Sequence, residues 1–309
     1  MPDVLIITVN YRGADATEKF LESAARLQGF SRARILVVEN GSGDGSAGRL
    51  RPLVAGFANV ELLESATNRG YFGAANWALQ QYTAPTLKTD WVIVCNNDIT
   101  FDDRQFLEKL RQRDPGSVQV IAPAIIARQT GIDCNPSLRH RPSPWQLRRF
   151  RFGASNYHLM WCKQLLAPYV RTILHHLYFW RIKSRPDGST QIYAAHGAFL
   201  IFSRSYFEAG GYIEDGFFLY AEEFSVAEIC LRLGLRMVHD PGLQVFHHAH
   251  RVTGRLLNRT TFEYSQQGLN FILRNYFQPS PPDGFPNEDG EPTTRQRDSA
   301  APLRGERSL

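Results

Sequence analysis

Short apolar runs alternate with amphipathic segments through the first third of the chain. Val4–Val9, interrupted only by Thr8, predicts a buried strand. Thr17–Leu27 places Phe20, Leu21, Ala24 and Leu27 on one face of a helix. Ile35–Val38 predicts a second strand and Val60–Leu63 a third, followed by a helix near Ala74–Gln81. Trp91–Cys95 predicts a fourth strand, with a helix from Asp103 to about Arg111. Strands separated by helices build β-α-β units, so the pattern predicts an α/β fold with a mostly parallel sheet flanked by helices. In such sheets the ligand sits beyond the carboxyl ends of the strands. The polar residues gather in those loops: Asn10-Tyr11-Arg12, Glu39 to Asp44, and Asn96-Asn97-Asp98.

Residues 128–190 change character. No Asp or Glu occurs between Cys134 and Pro186, while ten Lys or Arg fall from Arg139 to Arg185, interleaved with Trp145, Trp161 and Trp180. Apolar pairs at helical spacing over Leu159–Ile182 predict a helix that Pro168 starts or kinks. The segment reads either as a core-packed helix with a solvated basic loop or as a surface lying on an anionic membrane. Ile192–Phe202 predicts a strand, and regular structure is expected to continue to Phe277. From Gln278 the chain is rich in Pro, Gly and charge, which predicts a disordered tail over 278–309. The expected division is therefore a first α/β part at 1–127, a basic aromatic insertion at 128–190, a second regular part at 191–277, and the tail.

Charge narrows the partners. The 309 residues carry 35 Lys and Arg against 30 Asp and Glu, a net +5. That balance favours anionic partners: nucleotide phosphates, a phospholipid surface or a nucleic acid. The basic residues form one segment with no recognised reading motif, so nucleic acid is not expected. Cys95, Cys134, Cys162 and Cys230 are scattered without a C-x-x-C pair, which argues for reduced thiols rather than a zinc or disulfide framework. The start, MPDVLIITVNY, lacks a signal peptide's basic region, and no apolar run reaches the ~20 residues of a membrane span. A cytoplasmic location is expected, at most peripheral to the inner face of the plasma membrane.

Cys95-Asn96-Asn97-Asp98 directly follows an apolar strand, where an acid can reach a hard cation such as Mg²⁺ or Mn²⁺ bridging to phosphates. Asn-Asn-Asp also suits a plain turn. Glu39-Asn40-Gly41-Ser42-Gly43-Asp44 and Asn68-Arg69-Gly70-Tyr71-Phe72-Gly73 combine glycines that admit a close ligand with side chains that can bind a base, ribose or phosphate. Neither is a G-x-G-x-x-G fingerprint or a P-loop. Glu222-Glu223 opens a segment with helical apolar spacing; it either complements the helix dipole or supplies a general base. His247, His248 and His250 cluster after the apolar run Gln244–Phe246, with His248 expected on the opposite strand face.

As an ordered set these stretches resemble glycosyltransferase family 2, particularly its bacterial rhamnosyltransferase-like members. The matching stretches are TVNYRG (8–13), VVENGSGDGS (37–46), NRGYFGAANWAL (68–79), CNNDITF (95–101), HGAFLIFSR (196–204) and GGYIEDGFFLYAEE (210–223). The resemblance covers roughly residues 3–255. It implies a GT-A fold, a nucleotide-diphosphate sugar donor, one divalent metal and inversion at the anomeric carbon. It makes Asp98 the metal acid of a D-x-D-type motif whose first acid is Asn96 here, with His247 completing the shell and His250 a weaker match. Asn10, Glu39, Asn40, Asp44, Asn68, Gly70 and Asn97 fall to the donor, Glu39 standing where the family usually has Asp. Glu223 is the expected base, with Glu222 orienting the acceptor and His196 at the acceptor edge. A rhamnosyl donor and a cell-surface or lipid-linked glycan acceptor are suggested by the same resemblance. Two alternatives stay open at this point: a nucleotidyltransferase, and a non-catalytic nucleotide-sugar or membrane-binding module.

Overall fold

The computed structural model describes residues 2–83, 87–153, 156–157, 188–248 and 259–277. The predicted helix over 159–182, Trp161, Trp180, Cys162, His250 and the tail lie outside them. The compact unit built from these residues spans Met1–Phe277.

All seven residues of β1 (Val4–Asn10) are buried. Leu5, Ile7 and Val9 point into one core and Val4 and Ile6 into the other, which is why the strand reads as a continuous apolar run rather than an alternating one. β2 (Ala33–Asn40) and β4 (Trp91–Asn96) largely repeat this, β3 (Val60–Ser65) is buried only at its two ends, and the four pair in parallel in the order β3-β2-β1-β4. The chain moves outward from β1 to β3, then returns to the other side of β1. That switch opens a crevice at the carboxyl ends of β1 and β4, where Asn10 and Asn97 stand.

The helices divide between the two faces. α1 (Ala14–Ala25), α2 (Ser46–Ala55) and α4 (Phe106–Arg111) cover one face with Phe20, Leu50, Phe106 and Leu110. α3 (Tyr71–Thr83) and α5 (Pro144–Gly153) cover the other, joined by α6 (Arg204–Glu208), α7 (Glu222–Leu233) and α8 (Arg259–Asn275). In α1, Phe20, Leu21 and Ala24 are fully buried at helical spacing. Phe20→Ala alone would cost about 3–5 kcal/mol.

The sheet continues as β4-β8-β6-β9-β5, with β8 (Phe199–Ser203) antiparallel to both β4 and β6 (Val120–Ala127). β6 and β9 (Met237–His247) run with β1 to β4, so the long strands are parallel apart from β8. The single strand expected over Ile192–Phe202 is broken. Thr190–Gln191 (β7) pairs with β9, whereas β8 lies between β4 and β6. Residues 192–198 carry the chain across that gap and hold His196 and Gly197 at the crevice. The short strand β5 (Ile99–Thr100) pairs antiparallel with the end of β9. Among the described residues no helix is long and apolar enough to cross a membrane.

Candidate active site

At the carboxyl ends of β1 and β2 the polar side chains turn largely on one another. Asn10 is fully buried; its amide donates to Glu39, and its Oδ1 accepts from Thr17 Oγ1 at 2.9 Å and Asn97 Nδ2 at 3.1 Å. The second Glu39 oxygen accepts from the Ser42 amide at 2.7 Å. Asn97 Nδ2 also reaches Gly13 O at 3.1 Å and Thr17 Oγ1 at 2.9 Å. Asn40 clamps the next loop. Its Nδ2 donates to Asn68 Oδ1 and Gly70 O, both at 2.9 Å, and its Oδ1 accepts the Arg69 amide. Asn68 Oδ1 accepts from Gly70 N. Asp44 is exposed and accepts the amide and hydroxyl of Ser46, which hold its carboxyl below the usual range. Truncating a buried member of this lattice would orphan its partner, at about 1–3 kcal/mol. The structure thus brings the seven predicted donor residues to one edge, with Asn10, Glu39, Asn40, Asn68 and Asn97 shaping the loops through contacts within the protein.

Asp98 lies just before β5, and the β5–β9 register sets Ile99 opposite His247. The Asp98 carbonyl accepts the His248 amide at 3.0 Å. That pairing brings His247 Nε2 to 3.2 Å from Asp98 Oδ1, both side chains nearly buried. The His248 ring, just past the end of β9, lies instead 2.9 Å from Thr100 Oγ1. No group of three or more His, Cys, Asp or Glu able to hold a metal is found among the described residues. A carboxylate and an imidazole side by side are donors that a divalent ion could use.

The second half contributes the acid pair at the start of α7. Glu222 is buried, whereas Glu223 is half-buried and open to the crevice. Burial raises the Glu222 carboxyl to about 8; the neighbouring Glu223 adds to this, and backbone N–H groups from Tyr220 to Glu222 pull it partly back. Burial therefore favours the neutral form of Glu222, and Glu223 is the more accessible carboxyl of the pair. Glu223 Oε1 accepts the Gly197 amide at 3.2 Å, and the Gly197 carbonyl accepts the Tyr71 hydroxyl at 3.1 Å. Tyr71 is half-buried as a residue, yet burial of its phenol, with Cys95, Glu222, Asp98 and Glu223 nearby, raises it well above the usual range. It stays an O–H donor among the acids. His196, with its ring centroid 6.1 Å from that of His247, is lowered by burial, pulled back by Glu223 and lowered further by His247. Its amide is held by Asn135 Oδ1 at 2.7 Å.

Sequence reasoning assigns no role to Tyr71, Gly197 or Asn135. Tyr71 and Gly197 stand inside stretches that carry the family resemblance, and that was the available signal. Asn135 belongs to a loop with no such mark. One cavity, of about 360 Å³, is lined by Arg34, Leu36, Glu61, Leu63 and Tyr82. It sits toward the opposite ends of β2 and β3 and holds none of these groups.

The model for glycosyl transferase family 2 matches residues 3–209, two thirds of the chain and all of the parallel half of the sheet. The chain belongs to glycosyl transferase family 2. It is 26% identical over 277 residues to the low-salt glycan biosynthesis hexosyltransferase Agl10 of Haloferax volcanii, covering 90% of this chain and 75% of that protein. It is also 26% identical over 271 residues to an N-acetylglucosaminyl-diphospho-decaprenol L-rhamnosyltransferase of Mycobacterium tuberculosis, covering 82% and 79% respectively. Among solved structures, the mannosyltransferase PcManGT of Pyrobaculum calidifontis, in complex with GDP-Man and Mn²⁺, superposes with a TM-score of 0.52 at 16% identity. That match covers 91% of this chain and 66% of the other, and the likeness is one of fold. As a family 2 member the chain is an enzyme that transfers a glycosyl group, and the nucleotidyltransferase and non-catalytic alternatives fall away.

Proposed function

We propose that the enzyme inverts the anomeric carbon of a nucleotide-diphosphate sugar while passing the sugar to a hydroxyl of a lipid-linked glycan, with Glu223 as general base. The observation that carries this is the asymmetry of the acid pair. One glutamate is buried, which favours its neutral form; its neighbour is half-buried and accepts a backbone N–H from Gly197. Glu223 takes the proton from the acceptor oxygen as that oxygen attacks the anomeric carbon from the face opposite the leaving diphosphate. Such assistance is typically worth about 10²–10⁴ in rate. Tyr71 and Gly197 hold the Glu223 carboxylate in one orientation, and His196, kept neutral by its surroundings, adds no competing positive charge. Asp98 and His247 would hold the divalent ion, which when bound supplies charge stabilisation for the departing diphosphate. Asn40 and Gly70 shape the loop over the phosphates. A deoxyhexose donor such as an L-rhamnosyl nucleotide is favoured by the decaprenol rhamnosyltransferase relative, and a hexose by Agl10.

The test is release of nucleoside diphosphate from a panel of rhamnosyl, mannosyl, glucosyl and galactosyl nucleotides, with polyprenyl-diphosphate-linked N-acetylglucosamine as acceptor. Transfer with inverted anomeric configuration, lost in Glu223→Gln, supports the reading. Retained configuration would refute the single displacement.

A further inference from the structure

We propose that the outward face of α5 docks the enzyme onto an anionic phospholipid surface beside the acceptor end of the crevice. α5 turns Leu147, 4% exposed, into the core. Trp145, Arg148 and Arg149 fall on the opposite side at i, i+3 and i+4, and all three are exposed. Trp145 is 64% exposed, more than any other large hydrophobic side chain among the described residues. The Arg149 guanidinium lies over its ring, 5.4 Å from the centroid. A lone exposed apolar residue is ordinary. An indole flanked by two arginines, on the side turned away from the core, matches the headgroup layer of a membrane. The ring suits the polar–apolar boundary and the guanidinium groups suit lipid phosphates. No acid occurs from residue 135 to 186 to neutralise this charge within the segment. A single ten-residue helix with one exposed aromatic ring offers no row of platforms for stacking nucleic-acid bases.

The placement gives the surface a purpose. α5 packs on α8, with Arg151 donating to Asn270 Oδ1 at 3.0 Å. Gly268 of α8 lies so close to the chain before the acid pair that a Cβ there would stand 2.8 Å from Leu219 O and 3.2 Å from Ala221 Cβ. The basic face is thus joined through one helix to the residues that lead into Glu222 and Glu223. This link to the acceptor rests on the proposed role of Glu223; the docking itself does not.

Flotation of the full chain with phosphatidylglycerol-containing and pure phosphatidylcholine vesicles tests the proposal without any sugar chemistry. The wild type is expected to float with the anionic vesicles at about 50 mM salt and to be released at about 500 mM, where screening shortens the reach of each charge to a few ångströms. Arg148→Ser with Arg149→Ser should weaken partitioning about thirtyfold, and Trp145→Ala should weaken it further. Arg26→Ser with Arg104→Ser removes the same charge from exposed positions by the α1–α4 face and should change binding little. Equal recovery with both vesicle types overturns the proposal, as does equal loss in the two double variants. Binding of an RNA oligonucleotide that depends on Arg148 and Arg149, without vesicle binding, would assign the face to nucleic acid and overturn it too. Turnover on a short-chain, water-soluble acceptor, unchanged in the α5 variants, separates failure of docking from failure of the glycosyl-transfer reading.

Discussion

Replacing Glu222 by Gln isolates the stability stored in a buried proton. The ordinary carboxyl value for this side chain is 4.5, and burial beside Glu223 raises it to about 8 in the folded protein. Below about 4.5 the side chain is protonated in both states, and the folded form keeps the full benefit of the neutral acid. Between the two values the folded state binds more protons than the unfolded one, so stability falls as pH rises, by up to about 1.4 kcal/mol per pH unit. Above about 8 the benefit is gone. From pH 5 to pH 7 the loss amounts to about 2–3 kcal/mol as an upper bound. For a unit of this size that is on the order of 5 °C in melting temperature. Glutamine mimics the neutral acid and cannot ionise. Melting curves of the two proteins from pH 5 to pH 8.5 should therefore diverge, with Glu222→Gln gaining on the wild type as pH rises. Turnover of the variant at pH 7 should stay near that of the wild type. Parallel melting profiles, or a wild type that gains on the variant with rising pH, would refute the protonated Glu222.

The remaining predictions concern the crevice. Glu223→Gln should lower kcat on the order of 10²-fold or more while leaving the donor KM largely unchanged, measured by steady-state diphosphate release. Loss in Glu222→Gln but not in Glu223→Gln would exchange their roles. Asp98→Asn should nearly abolish transfer and Mn²⁺ binding with the fold intact; full activity in the variant or in excess chelator would remove the metal assignment. Gly197→Ala places a Cβ 3.1 Å from Glu222 Cβ and 3.4 Å from Glu223 Oε1. A shift of a few tenths of an ångström in the base should lower kcat roughly tenfold with an unchanged melting temperature, and wild-type kcat would show that the turn does not position Glu223.

β1 and β4 were legible because they are buried on both faces, so Val4–Val9 and Trp91–Cys95 announce themselves as apolar runs. α2 carries no such signal: Gly48 and Pro52 lie inside it, and only Ser46, Leu50 and Val54 are buried. β6 contains Pro123, which argues against a strand, and the sheet accommodates it at a shift in register with β9. The reversal of β8 is invisible to alternation, which has no direction. Residue type marked the candidates, and the fold sets Asp98 beside His247 and Glu223 beside Gly197, with Glu222 buried behind. What a sequence cannot state is whether an asparagine faces a ligand or another side chain. Asn10, Asn40 and Asn97 hydrogen-bond within the protein because the strands bring partners from 7 to 87 residues away. The sequence gives no sign that Glu222 is buried and Glu223 only half-buried, because burial differs between adjacent residues at the first turn of α7.

Gly70 sets a limit on how this enzyme can diversify. A Cβ there would stand 2.3 Å from Phe218 O, and the Tyr71 amide already donates to that carbonyl at 3.3 Å. The loop proposed for the donor and the loop leading to the acid pair therefore meet backbone to backbone, with no side chain between them to absorb a mismatch. A laboratory graft that replaces residues 68–71 is therefore expected to need residues 216–223 carried with it as a single cassette.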